Sequence, residues 1–227
     1  MATLIARGRA ADVYAEGPGR VLRRYREGET PDVLAEAAVM EHARHHGFPV
    51  PGVHHASGRD LVLDRLEGAT MLADLARRPW LVRRHGRTLA KLHQRLHEIP
   101  APAGLGSPFG CGEQLVHLDL HPDNVMLTPG GPVVIDWSNA SRGEPADDVA
   151  TTWVIMSTSA IPGPAAFRLL GRVGRQQLIE AFLGQVDAQG ARERLAAVAD
   201  HRISTDRHLL EPERLALTAL LAASAKR

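Results

Sequence analysis

The sequence predicts an α+β protein built in two lobes, one rich in β-strands and one mostly helical. Residues 1–68 contain several short strand-like runs and a single helical segment. After Pro145 the pattern becomes helical and stays so to the end of the chain. Gly68 interrupts the pattern between the two parts. We therefore expect an N-terminal lobe over residues 1–68 and a C-terminal lobe over residues 69–227, with a ligand held between them.

The N-terminal lobe is predicted to hold five strands and one helix. The helix should begin after Thr30, which can cap it, with Pro31 at the first helical position and Asp32 at the positive end of the helix dipole. It should end near His46, before Gly47. The candidate strands cover residues 4–7, 12–15, 20–25, 53–56 and 60–66.

The C-terminal lobe is predicted to open with helices and then to contain three short buried strands. Apolar residues recur at helical spacing through 80–99, which indicates an amphipathic helix. Gly130 and Gly131 should turn the last two strands into a hairpin that brings Asn124 and Asp136 side by side. The strands cover 115–118, 125–127 and 133–135, and breaks in the later helices are expected at 162–164, 187–190 and 211–212.

Composition narrows the range of partners. The formal net charge is +1 over 227 residues, so no overall field favours nucleic acid or a membrane surface as a partner. The only cysteine, Cys111, excludes a disulfide within the chain. The N-terminus lacks the apolar core of a signal peptide, and no apolar run is long enough to span a bilayer. We expect a cytoplasmic protein.

Three polar residues beside the predicted buried strands carry the candidate chemistry. Phosphoryl transfer from a nucleotide needs a carboxylate that orients the acceptor hydroxyl, and it needs oxygen ligands that hold Mg²⁺ against the phosphates. Asp119 fits the first role. Asn124 and Asp136 fit the second, because both offer the hard oxygen donors that Mg²⁺ prefers.

The segment from His117 to Asn124 matches H-x-D-x-x-x-x-N, and an apolar strand ending at Asp136 follows it. Together with Gly143 to Ala150, this pattern resembles the aminoglycoside phosphotransferase and choline kinase-like family, relatives of the protein kinases. The resemblance implies a protein-kinase-like fold. It also implies an ATP- or GTP-dependent enzyme that uses Mg²⁺ and moves the γ-phosphate to a hydroxyl of a small molecule.

The resemblance extends to the nucleotide site, with one departure. The family places a phosphate-holding lysine on the third strand, but the first lysine of this chain is Lys91, and Arg23 occupies the family's position. Glu36 is expected to orient Arg23, whereas Arg24 should face the other side of the strand. The adenine is expected to contact the backbone carbonyl of Asp64 and the amide of Leu66. The segment that would cover the phosphates, residues 7–14, has a single glycine.

Two other functions fit parts of the sequence. His117, Asp119 and His121 alternate, so on one strand they would face one side and, with Asp136, could bind zinc in a hydrolase. A nucleotide-binding protein without turnover is the second alternative, suggested by Arg23 and the glycine-poor segment. For the acceptor, the chain from residue 141 onward has ten Asp or Glu and eleven Lys or Arg, which favours a less cationic compound than an aminoglycoside.

Overall fold

The computed structural model describes residues 3–29, 32–159 and 165–224. Its first part is a five-stranded antiparallel sheet in the order β1-β2-β3-β5-β4, with one helix, α1, inserted between β3 and β4 and packed against β4 and β5. The bounds are Leu4–Arg7 for β1, Ala11–Ala15 for β2, Arg20–Tyr25 for β3, Val33–His45 for α1, Val53–Ser57 for β4 and Asp60–Asp64 for β5.

Helix α1 begins later than the sequence suggests. Asp32 is the N-cap residue, because its carboxylate Oδ1 accepts a hydrogen bond of 2.9 Å from the backbone amide of Ala35. The predicted cap, Thr30, and Pro31 lie outside the described residues. The helix ends at His45, and Gly47 follows with a φ of +75°, a conformation that suits glycine.

The second part combines short strands with longer helices. A three-stranded sheet in the order β6-β8-β9 and a two-stranded pair of β10 with β7 are both antiparallel. The strands are Ala69–Thr70 (β6), Gln114–Val116 (β7), Val125–Thr128 (β8), Gly131–Val134 (β9) and Ser141–Gly143 (β10). The helices are Met71–Arg77 (α2), Val82–His97 (α3), Pro145–Thr158 (α4), Ala165–Leu183 (α5), Ala188–Thr205 (α6) and Glu211–Ser224 (α7).

Several predicted boundaries move for local reasons. Strand β7 stops at Val116 because Leu118 adopts a left-handed backbone with a φ of +57°. Helix α3 starts at Val82, after a 3-10 turn over Pro79–Leu81. The hairpin turn lies one residue earlier than expected, since Gly131 already pairs with Thr128. The predicted break at 162–164 falls outside the described residues.

Gly68 lies where the chain passes from the first sheet to β6. Its φ is +140°, and a Cβ at this position would lie 2.1 Å from the carbonyl oxygen of Leu127 in β8. Only glycine allows the two backbones to come this close. The break that the sequence indicates at Gly68 is thus a close contact with the β8–β9 hairpin.

One continuous core joins the sheet, the hairpin and the helices. The backbone amide of Val134 donates to the carbonyl of Pro49, and the ring of Phe48 meets the edge of Trp137 at 5.7 Å between centroids. Helix α3 packs against α5, and α4 packs against α6. Among the described residues, no helix is long and apolar enough to cross a membrane. Core side chains with almost no exposure include Met40, Leu61, Leu89, Leu120, Trp137, Val154, Phe182 and Ala199.

Candidate active site

Arg23 on β3 bridges two carboxylates. Its Nη1 donates to Oε1 of Glu36 on α1 at 2.6 Å, and its Nη2 donates to Oδ1 of Asp136 at 2.6 Å. The contact with Glu36 agrees with the expected brace, whereas the contact with Asp136 is not foreseen from the sequence. Burial opposes the charge of the guanidinium, but Asp136 and Glu36 outweigh it, so the pKa of Arg23 lies above its ordinary value.

Tyr25 completes the support of Glu36. Its hydroxyl donates to Oε2 of Glu36 at 2.7 Å, and its ring lies under the guanidinium of Arg23 at 4.7 Å. Both carboxylate oxygens of the buried Glu36 therefore have a donor. Strand alternation places Tyr25 on the same face as Arg23, so the period of two was a usable signal for this residue.

Arg24 points away from this cluster. Its side chain is 51% exposed, against 13% for Arg23, and its Nε donates to Oδ1 of Asp60 on the neighbouring strand at 2.7 Å. The alternation expected for the two arginines is thus present in β3.

Asp148 at the start of α4 holds the backbone of the loop that carries Asp119. Its Oδ1 accepts the amide of Leu118 at 2.7 Å, and its Oδ2 accepts the amide of His117 at 3.2 Å and Nε2 of His97 at 2.9 Å. Burial opposes the carboxylate charge, but the hydrogen bond from His97 and the charges of His93, His97 and His117 outweigh it and hold the pKa of Asp148 well below its usual range. The left-handed turn at Leu118 is therefore fixed by a buried carboxylate.

His117 faces the core. Its ring lies 4.9 Å from that of Trp137, and Nε2 is 3.2 Å from the carbonyl oxygen of Ile135. Because β7 ends before His117, this residue does not share a strand face with Asp119 and His121. Within the described parts of the chain, no group of three or more His, Cys, Asp or Glu side chains is arranged to hold a metal ion. The geometry that the zinc hydrolase requires is not formed.

Asp119 and Asn124 are joined directly. Nδ2 of Asn124 donates to Oδ2 of Asp119 at 3.0 Å and to its backbone carbonyl at 2.9 Å. The other oxygen, Oδ1, has Nε2 of His121 at 3.7 Å and Nη1 of Arg202 at 3.6 Å. Burial raises the pKa of the Asp119 carboxyl above its ordinary value; the charge of Asp136 adds to this, while His121 and Arg202 oppose it.

Asp136 follows the β8–β9 hairpin in a strained conformation. The amide of Ile135 donates to the carbonyl of Asn124 at 3.0 Å, so the partner of Asn124 is Ile135, and Asp136, which the sequence predicts beside Asn124, follows one residue further on. Its φ of +64° is uncommon for a residue other than glycine and is typical of functional sites. Burial opposes its charge, but Arg23 holds the pKa of this carboxyl below its ordinary value. Ser138 donates to Oδ1 at 3.1 Å.

The predicted adenine segment lies at the end of β5. The strand stops at Asp64, two residues before the predicted end at Leu66. The side chain of Asp64 accepts the amide of Gly52 at 2.8 Å and lies 2.7 Å from Nε2 of His54. The carboxylate of Asp64 is thus engaged by residues just before and within β4, and the expected adenine contacts concern the backbone alone.

The segment expected to cover the phosphates is the turn between β1 and β2. The amide of Gly8 donates to the carbonyl of Ala11 at 2.8 Å. The guanidinium of Arg26 donates to the carbonyls of Gly8 and Arg9 at 2.8 and 2.9 Å. This short turn is thus held by Arg26, the residue that follows β3.

The chain matches a protein-family model and resembles solved structures. A family model described as the phosphotransferase enzyme family matches residues 2–110 and 102–184. No curated protein sequence matches the chain significantly. Many solved structures resemble it, and the three described below do so at low sequence identity, so they inform the fold alone.

The first of these is a thermostable mutant of aminoglycoside phosphotransferase APH(4)-Ia, with a TM-score of 0.69 and 16% identity, covering 100% of this chain and 96% of that chain. The second is an ethanolamine kinase from Plasmodium vivax, with a TM-score of 0.64 and 12% identity over 96% and 81% of the two chains. The third is the amicoumacin kinase hAmiN in complex with AMP-PNP and Ca²⁺, with a TM-score of 0.51 and 16% identity over 99% and 86%. These likenesses confirm the predicted protein-kinase-like α+β fold.

Proposed function

Because the chain belongs to the phosphotransferase enzyme family, we propose that it moves the γ-phosphate of ATP to a hydroxyl of a small molecule with the help of Mg²⁺. The observation that carries the proposal is the convergence of two pairs, Arg23 with Asp136 and Asp119 with Asn124. The first pair offers a cation and a carboxylate for phosphates and metal, and the second offers a base and an amide oxygen.

ATP is the better supported of the two nucleotides that the sequence allows. The amicoumacin kinase structure contains the ATP analogue AMP-PNP, and a ternary complex of APH(4)-Ia contains ADP, at a TM-score of 0.54 and 17% identity. GTP stays a second option for the same site. We place the nucleotide between residues 1–68 and residues 69–227, with its base at the backbone of Asp64 and Leu66 and its phosphates at Arg23.

The donor set fits a magnesium ion. The contacts of Asp136 with Arg23 and Ser138 both engage Oδ1, and no described residue hydrogen bonds its Oδ2. The Nδ2 of Asn124 donates to Asp119, which leaves the amide oxygen Oδ1 of Asn124 for a ligand. These are two hard oxygen donors. Bound Mg²⁺ supplies charge neutralisation on the phosphates.

In this account Asp119 is the residue that orients the acceptor hydroxyl and takes its proton. Its raised pKa makes it a stronger base than an exposed aspartate, and the amide of Asn124 fixes its orientation. Arg23 holds the nucleotide phosphates, and Glu36 keeps Arg23 in place.

Nucleotide binding without turnover is the second candidate function. The observation in its favour is that Arg23 already occupies Oδ1 of Asp136, the carboxylate proposed for the metal. If that pair persisted after the nucleotide bound, Mg²⁺ would change the affinity for nucleotide only a little, and phosphate would not be transferred.

A broad acceptor screen separates the two. The purified chain is incubated with γ-labelled ATP, or with γ-labelled GTP, and Mg²⁺, and the transfer of label to each acceptor is measured. If the chain is a phosphotransferase, at least one acceptor becomes labelled, and the rate of its labelling falls by about 10²- to 10⁴-fold in Asp119→Asn. Tight nucleotide binding with no labelled product from any acceptor would favour the second function.

A further inference from the structure

Arg202 on α6 places a guanidinium beside the proposed base. Its Nη1 lies 3.6 Å from Oδ1 of Asp119, too far for a hydrogen bond, and its Nη2 donates to Oδ2 of Asp206 at 2.9 Å. The side chain is 15% exposed, and its buried Nε has no hydrogen-bond partner in the described part of the chain. Asp206 thus holds one side of the guanidinium, and among the described residues most of its five donors have no hydrogen-bond partner.

The acceptor hydroxyl has to reach the same oxygen of Asp119. Oδ2 is already engaged by Asn124 at 3.0 Å, so Oδ1 is the oxygen open to an acceptor. His121 lies 3.7 Å from Oδ1 and does not hydrogen bond it. A hydroxyl that gives its proton to Oδ1 lies about 2.6–3.2 Å from it. Because Nη1 of Arg202 lies 3.6 Å from the same oxygen, the guanidinium is within reach of substituents next to that hydroxyl.

We propose that Arg202 binds the acceptor and selects compounds that carry a carboxylate or phosphate next to the reacting hydroxyl; this inference rests on the proposed phosphotransferase function. A guanidinium fork matches both anions in a bidentate way. An ammonium group in the same place is repelled, and the repulsion is strong in a partly buried site. The absence of an acidic excess from residue 141 onward agrees with an acceptor that is not polycationic.

Asp206 makes Arg202 a preformed feature of the site. One oxygen of Asp206 accepts from Arg202, and the other accepts the backbone amide of His208 at 2.9 Å. The arginine thus has a partner of its own near the end of α6 and does not depend on Asp119 for its position. A purely structural arginine predicts an equal loss for every acceptor when it is replaced, whereas an anion-binding arginine predicts a loss confined to anionic acceptors.

The test measures kcat/KM for γ-phosphate transfer to matched acceptors at saturating ATP and Mg²⁺. Glycerate is compared with glyceramide, and glycerol 3-phosphate with glycerol, so that the carboxylate and phosphate arms are separate. Further hydroxy acids are each compared with their amides, and choline, ethanolamine, kanamycin and hygromycin B represent cations. Wild type is compared with Arg202→Gln, Arg202→Lys and the control Arg207→Gln, which removes the same charge from an exposed residue nearby.

We expect the wild type to prefer an anionic acceptor over its neutral partner. Arg202→Gln should lower kcat/KM for the anion by about 10- to 100-fold, mainly through KM, and leave the neutral partner within about threefold. Arg202→Lys should restore part of the preference, and Arg207→Gln should keep all of it. Preference for neutral or cationic acceptors, or an equal loss for all acceptors in Arg202→Gln, overturns the role of Arg202 and leaves the phosphotransferase standing. Transfer to no acceptor at all overturns both.

Discussion

Arg23 and Asp136, 113 residues apart in the chain, are joined by a hydrogen bond of 2.6 Å between Nη2 and Oδ1. The other arm of the same guanidinium reaches Glu36 at 2.6 Å. A planar fork can hold two carboxylates at once, whereas the ammonium of a lysine is a single point charge. Arg23 therefore joins the first sheet to the strand end that carries the proposed metal ligand, Asp136.

Replacing Arg23 should weaken nucleotide use strongly, and replacing its neighbour Arg24 should not. Arg23→Ala leaves the buried carboxylate of Glu36 without its cation, so we expect kcat/KM for ATP to fall by about 10²-fold or more and stability to fall by about 3 kcal/mol. Arg23→Lys should recover part of the activity. The side chain of Arg24 is half exposed, and among the described residues it pairs with Asp60 alone. Arg24→Ala should therefore change kcat/KM for ATP by less than about threefold. Equal effects at the two positions, or a silent Arg23→Ala, would mean that other groups hold the phosphates.

Tyr25→Phe tests whether the hydrogen bond from Tyr25 to Glu36 helps to hold Arg23 in place. The change removes the donor to Oε2 of Glu36 and leaves a buried acceptor unsatisfied, which costs about 1–3 kcal/mol. We expect a lower melting temperature and a higher KM for ATP with a smaller change in kcat. Tyr14→Phe is the matched control for the melting temperature, because Tyr14 pairs with Leu22 and lies on the other face of the sheet. If the KM for ATP is unchanged in Tyr25→Phe, the hydrogen bond from Tyr25 to Glu36 does not support nucleotide binding by Arg23.

The sequence predicts the parts of this site that depend on local spacing. Strand alternation separates Arg23 from Arg24, and the short hairpin pairs Asn124 with Ile135, the residue before Asp136. Contacts between distant segments carry no local signal, which is why the bond from Arg23 to Asp136 was not predicted. Arg202 was missed for the same reason, since the packing of α6 against α4 brings it to Asp119.

The predicted ends of helices and strands are wrong where one side chain or one backbone angle decides them. The carboxylate of Asp32 sets the start of α1, although Thr30 and Pro31 form an equally good signal in the sequence. Strand β7 stops early because Asp148 holds Leu118 in a left-handed turn. Neither effect can be read from hydrophobic periodicity.

The pH dependence of transfer should report Asp119. Its pKa is raised by burial and by Asp136, and the base must be ionised, so kcat/KM for the acceptor should fall as pH drops through a value above the usual range of an aspartate. Arg202 opposes this rise, so Arg202→Gln should move the acid limb of the profile to higher pH. Arg207→Gln should leave the limb in place. A limb that moves to lower pH in Arg202→Gln would contradict the arrangement around Asp119.

Asp148 should be a large contributor to stability above acid pH. Its folded pKa lies below its unfolded value, so its contribution is present above the unfolded pKa and is lost as pH falls through the folded pKa. Asp148→Asn should cost about 3 kcal/mol at pH 7, and the difference from wild type should shrink in denaturant titrations carried to acid pH. Asp60→Asn removes a partly exposed ion pair and should cost about 1 kcal/mol or less. Equal costs in the two variants would contradict the role given to Asp148.

Calorimetric titration of ATP into the wild type and into Asp136→Asn, each with and without Mg²⁺, tests the phosphotransferase account most directly. Asparagine tolerates the left-handed backbone at this position, so the variant removes the carboxylate charge with little strain. The account predicts one binding site in the wild type, with affinity that increases when Mg²⁺ is present, and loss of that increase in Asp136→Asn. No binding of ATP to the wild type in either condition would contradict it.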